Sequence, residues 1–178
     1  ASIAIVEQIG RGQEPGGVGR RFLDGTLPSL EAQVCNLADE MAYNAHDIDD
    51  GVRAGLLVHE QLLEVPLFAR FHRETLGEHP GLTGRRLLFE SIRRMLSHLV
   101  YDLVARSDAL IDAHAPADAD AARRAPALIA FGDDCAAELV ELKRFLRERL
   151  YRHPRVVATT DGARQVVREL FHAYAAEP

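Results

Sequence analysis

Cysteine is scarce in this sequence. There are two, Cys35 and Cys135, far apart and in no CxxC spacing. That excludes a disulfide framework and points to a reducing compartment, the cytoplasm. Long apolar runs are missing as well. None approaches the ~20 residues that a membrane-spanning helix needs, so no membrane partner is expected. The opening ASIAIVEQIGR has no initiator Met, no basic leader and too short an apolar stretch for a signal peptide. It enters directly on a helical pattern, which reads as a truncated or processed chain. A broad basic surface is absent: the net charge is −6 and the pI about 5.7. That argues against a nucleic-acid partner, although local Arg clusters survive the average. The glycine-rich EPGGVG lacks the GKS or GKT ending of a phosphate loop and follows no strand. No alternating strand pair with a hairpin turn occurs, and no internal repeat.

What is present is apolar residues at helical spacing. The chain has 178 residues, 47% of them hydrophobic, enough for one cored domain. Residues 2–10 read as a helix fragment and 11–28 as a Gly/Pro loop. Ser29 then caps a helix with Glu31 in its first turn, its buried stripe being Leu30, Val34, Leu37, Met41 and Ile48. Gly51 bends or ends it, and a short helix follows. Pro66 opens a helix to about residue 77. Thr83 caps a long one over about 84–113, with Leu87, Leu88, Ile92, Met95, Leu99, Leu103 and Leu110 inward. Residues 114–126 read as a polar loop, and ALIAF, 127–131, as an apolar strip of undecided state. A helix over 133–151 buries Leu139, Leu142, Leu146 and Leu150, and Thr160 or Asp161 caps a last one. The class is all-α, a multi-helix bundle.

One segment raises a chemical question. NLADEMAYNAHDIDD, 36–50, contains no Lys or Arg. Asp39, Tyr43 and Asp47 stack on one side of a helix, with about 12 Å between the two carboxylates. That separation is too long for one ion to be shared. Like charges four apart also cost about 0.2–0.5 kcal/mol per pair. A solvated acidic face, paired with Arg53, Arg93 or Arg94, accounts for the pattern. So does a wall that meets a metal and a polar ligand. His46-Asp47 spells the metal-binding dipeptide of HD phosphohydrolases, but adjacent helical residues point about 100° apart. Elsewhere, Arg93 and Arg94 suit a polyphosphate, or pairing with Glu90 or Asp102. Tyr151–Arg155, YRHPR, suits a helix C-terminus or an anion. Cys35 reads as a small buried hydrophobe and His172 as partly buried.

The wording of PSLEAQVCNLADEMAYNAHDIDDGVRAGLL, 28–57, closely resembles the deoxyguanosinetriphosphate triphosphohydrolases of the HD superfamily. ELKRFLRERLYRHPRV, 141–156, and ARQVVRELFHAYAAEP, 163–178, are similar to the same family. The resemblance implies an all-α C-terminal part of an HD-domain phosphohydrolase, with residues 1–57 ending the HD catalytic region and 58–178 forming an associated helical region. It implies hydrolysis of a deoxynucleoside triphosphate to deoxynucleoside and triphosphate, with a divalent metal, Mg²⁺ or Mn²⁺, and a homo-oligomer. Residue by residue, Asp39 matches the family's distant metal ligand, Tyr43 the residue packed on the deoxyribose, and Asp47 the carboxylate that takes the 3′-hydroxyl. The family's other metal ligands, a His and a His-Asp pair, belong upstream. No histidine precedes Asp39 here. No catalytic residue is therefore assigned, and this chain alone is expected to be inactive. The alternative is a non-catalytic helical regulatory or oligomerisation module.

Overall fold

Apolar spacing sets the secondary structure of the computed structural model, which describes residues 25–176. The expected helix fragment over 2–10 and most of the Gly/Pro loop lie outside the described residues. Among the described residues there is no strand. The helices are α1 Leu30–Arg53, α2 His59–Leu62, α3 Pro66–Glu78, α4 Gly84–His114, α5 Ala119–Arg124, α6 Asp133–Phe145 and α7 Pro154–Ala176. A π-helical segment, Leu146–Tyr151, continues α6. The class is all-α and multi-helical, as the periodicity requires.

Contacts divide the chain into two units. Among the described residues, one holds 25–37 together with Ala105–Ala130, and the other Ala38–Val104 with 131–176. In the first unit, Ser29 caps α1: its Oγ accepts from the Ala32 amide at 3.4 Å. Hydrogen bonds from the backbone and from Ser29 hold the Glu31 carboxyl below its ordinary pKa. The Gln33 side-chain amide donates to the Pro28 carbonyl at 3.0 Å, and Gln33 is buried. Val34, expected inside, is exposed. The expected polar loop contains α5, because Asp118 accepts from the Ala121 amide at 2.7 Å and starts a helical turn. The apolar strip is irregular, with Leu128 and Ile129 buried. The Ala130 amide donates to Ser107 Oγ at 3.2 Å.

The larger unit contains the main core. Met41, Ala45 and Ile48 of α1 are buried. Helix α3 buries Leu67, Phe68, Phe71 and His72, and α4 buries Leu87, Leu88, Ile92, Met95, Leu99 and Leu103. Leu110, further along α4, is only half-buried. Gly51 does not end α1. A Cβ there would lie 2.7 Å from Leu57 Cδ1 and 3.2 Å from Leu150 Cδ1, so its lack of a side chain admits both leucines. The helix ends at Arg53, and Gly55 just beyond it, with a φ of +66°, reverses the chain. The Leu56 and Leu57 amides both return to the Gly51 carbonyl.

Helix α6 and its π-helical continuation bury Leu139, Leu142, Leu146 and Leu150, as the spacing requires. Helix α7 begins earlier than its polar residues suggested. Pro154, pre-set for a first helical position, starts it. Thr160 and Asp161 lie inside it, with Thr160 Oγ1 donating to the Val156 carbonyl at 2.8 Å. No α7 side chain is buried, so His172 is exposed rather than partly buried.

Candidate functional site

The face of α1 that carries Asp39, Tyr43 and Asp47 turns away from the buried positions 41, 45 and 48, so the core leaves it open. Asp39 is exposed and Tyr43 is 62% exposed. Asp47 is half-buried and accepts a short hydrogen bond from the Tyr151 hydroxyl. Burial, then the hydrogen bond and charge of Asp47, push the Tyr151 phenol up to about 12. It therefore stays a donor at neutral pH.

The flanking charges are settled locally. Asp49 and Asp50 pair with Arg53 at 3.2 and 3.9 Å, and Glu40 with Lys143 at 2.8 Å. Of the three arginines weighed as partners of the acidic helix, only Arg53 pairs there. Arg93 and Arg94 both bind Glu90, and Arg94 also reaches Glu78. Hydrogen bonds from Arg93 first, and also from Arg94, hold Glu90 down to about 2, against the cost of its partial burial. These arginines form a closed ion-pair cluster. Among the described residues no cation pairs with Asp39 or with Asp47.

The three residues offer an exposed carboxylate, an aromatic face and a carboxylate already engaged by a hydroxyl. They do not make a metal centre by themselves. Among the described residues, Asp39 belongs to no group of three or more donors that could converge on one ion. A lone exposed carboxylate holds a divalent ion weakly, since such ions take six or more ligands. The residues of this face therefore fit one donor of a metal site and no more. A separate cleft of about 440 Å³ is lined by Asp49, Arg53, His59, Arg85 and Leu88 among others, and none of the three site residues reaches it. Val52, in that cleft, lies about 180° around α1 from Tyr43.

Tyr151 is the partner of Asp47 that spacing did not reveal. It lies 104 residues from Asp47, in the YRHPR stretch. The π-helical segment that carries it has no signature in the apolar pattern, which π and α turns share over so short a span. Cys35, expected inside, is exposed, whereas Cys135 is buried. Position 35 neighbours the exposed Val34 and Asn36 on the outer side of α1.

Comparison with known proteins gives these residues a setting. The phosphohydrolase-associated domain matches residues 129–178. A deoxyguanosinetriphosphate triphosphohydrolase-like protein of Bordetella pertussis is 55% identical over 163 residues, which are 92% of this chain and 42% of that protein. Proteins of the same name from Ralstonia nicotianae and Thiobacillus denitrificans are 49% and 43% identical. The latter match covers 93% of this chain and 44% of the relative. The chain thus spans less than half the length of the curated relatives it matches. No helix among the described residues is long and apolar enough to cross a membrane. By identity sustained over nine-tenths of its length, the chain belongs to the deoxyguanosinetriphosphate triphosphohydrolase-like proteins of the HD phosphohydrolase superfamily, of which it represents a portion that includes the phosphohydrolase-associated region.

Proposed function

We propose that this chain supplies one wall of the substrate site of a metal-dependent deoxynucleoside triphosphate triphosphohydrolase. Asp39 is one ligand of the divalent ion, Mg²⁺ or Mn²⁺, and the other protein donors come from outside the chain. Tyr43 packs its ring on the deoxyribose. Asp47 accepts the 3′-hydroxyl. The products are a deoxynucleoside and triphosphate, and the working form is a cytoplasmic homo-oligomer. The observation that carries this reading is the Asp47–Tyr151 contact. It holds a carboxylate, already accepting one hydroxyl, a single helical turn from an exposed aromatic ring. A merely solvated acidic face needs neither a second helix reaching in nor an uncovered Tyr.

The test is product analysis with the complete protein. Incubation with deoxynucleoside triphosphates and Mg²⁺ or Mn²⁺ yields inorganic triphosphate, read by phosphorus NMR. Pyrophosphate or single phosphates as the first product would overturn the reading. Asp39→Ala lowers turnover roughly 100-fold or more, at or beyond the upper end of what loss of a metal's outer supporting groups costs. Asp47→Ala removes a hydrogen bond to a charged group, about 1.5–3 kcal/mol, and weakens substrate binding roughly 10- to 150-fold. Full turnover in Asp39→Ala would remove the metal assignment.

A second reading, a non-catalytic regulatory or oligomerisation module, is favoured by one observation. Val166, Val167, Leu170, Phe171 and Tyr174 of α7 are all more than half exposed. A complete protein that releases no triphosphate, yet loses self-association when residues 154–178 are removed, would support that module instead.

A further inference from the structure

A second cluster of donors lies in the larger unit, on elements that the acidic wall does not use. His98 and Asp102 sit one turn apart on α4. Cys135 and Glu138 sit three residues apart on α6, so each pair projects from one side of its helix. The donor atoms of His98, Cys135 and Glu138 all lie within 4.8 Å of one another. Cys135 is 2% exposed, and the other two are half-buried. The Asp102 carboxylate lies against the thiol and is itself fixed by the Gly132 amide at 2.8 Å.

The surroundings orient these donors. Arg70 holds Glu138 at 3.0 Å and lies over the Phe71 ring, 4.8 Å from its centroid. Phe71 in turn flanks the His98 imidazole, with ring centroids 5.3 Å apart. Such outer contacts fix the direction of a first ligand.

We propose that His98, Cys135 and Glu138 bind a zinc-class divalent transition ion, with a water in the fourth position and the Asp102 carboxylate beside the sulfur. Tetrahedral zinc takes sulfur at about 2.3 Å and nitrogen or oxygen at about 2.0–2.2 Å. Those bonds place ligand atoms about 3.3–3.8 Å apart. Closing from the observed spacing requires side-chain movements of about 1 Å, within one rotamer well. A thiolate and an imidazole select zinc or cobalt over Mg²⁺ or Mn²⁺. The site is therefore chemically distinct from the ion assigned to Asp39, and it does not depend on the triphosphohydrolase reading. Without an ion the cluster is still satisfied, because the thiol is neutral beside Asp102 and Glu138 pairs with Arg70. On binding, the thiol loses its proton to solvent, the sulfur donates to the metal, and the ion cross-links α4 to α6.

Cobalt(II) tests the proposal, because a thiolate ligand gives a near-ultraviolet charge-transfer band that oxygen and nitrogen ligands do not. Chelator-treated protein titrated with Co²⁺ develops that band to one equivalent, and Zn²⁺ abolishes it. Cys35→Ser retains the band and Cys135→Ser loses it. His98→Gln and Glu138→Gln, with helical circular dichroism unchanged, weaken Co²⁺ roughly tenfold or more. Absence of the band at stoichiometric Co²⁺, or its persistence in Cys135→Ser, would overturn the site. Where Cys135→Ser loses helicity, the other two variants decide, and unchanged Co²⁺ affinity in both would overturn it equally.

Discussion

At the scale of single residues, the contrast between two cysteines and the reach of one tyrosine can be measured. Burial first, and then the nearby Asp102 carboxylate, push the Cys135 thiol up to about 12. Cys35 is exposed. In chelator-treated protein at neutral pH, a maleimide reagent labels Cys35 within minutes, while Cys135 reacts only after urea unfolds the chain. Equal labelling of both in the folded state would contradict the packing of α4 against α6. The same raised values fix a pH dependence. A group whose folded pKa exceeds its unfolded value contributes stability below the unfolded value and loses it as pH rises through the folded one. For Cys135 that loss runs from about 9 to about 12, and for Tyr151 from about 10 to about 12. Urea midpoints therefore fall between pH 9 and 12, and the Tyr151→Phe variant shows a shallower fall. That variant also removes the hydrogen bond to Asp47, at about 0.5–1.5 kcal/mol near neutral pH. On the substrate role proposed for Asp47, it alters substrate affinity of the complete protein more than turnover, because it leaves Asp47 without its hydrogen-bond partner.

At the scale of elements, helix starts and inward stripes were legible where local chemistry decides them. Ser29 before α1, Pro66 at α3 and the six leucine, isoleucine and methionine positions of α4 that become buried follow from capping and spacing alone. Helix ends were legible only in part. Gly51 looked like a terminator because glycine weakens a helix, but its role is to admit Leu57 and Leu150, which arrive from elsewhere in the chain. Gly55 was the true stop, because it alone takes the left-handed conformation there. Gly55→Ala therefore costs about 1–2 kcal/mol, the penalty of a side chain in that region. An unchanged urea midpoint would place the end of α1 elsewhere. The early start of α7 was missed for a related reason. Two threonines and an aspartate imitate a cap, whereas Pro154 had already begun the helix.

At the scale of the whole molecule, the limit on legibility is contact between distant segments. That Asp39, Tyr43 and Asp47 share one face was legible because all three lie on one helix, while the roles proposed for them came from the family resemblance. Tyr151 and the His98–Cys135–Glu138 cluster were not legible, since each needs α6 or its continuation to pack where local spacing cannot say. The same packing sets how stability is distributed. Slow amide exchange needs buried side chains and a hydrogen-bonded ladder that opens only with the core. In α4, the segment Leu87–Leu103 has six buried apolar side chains, with Ser91 also buried. In α7 none is buried. Hydrogen exchange by mass spectrometry therefore gives the strongest protection in peptides spanning 87–103 and the weakest in those spanning 157–176. The isolated α7 ladder frays on its own, because a helix without a packed face gains little beyond propensity. Protection of α7 equal to that of α4 in the dilute chain would show that its apolar face is covered. A rise in α7 protection with protein concentration, with α4 unchanged, would identify a second copy as the cover.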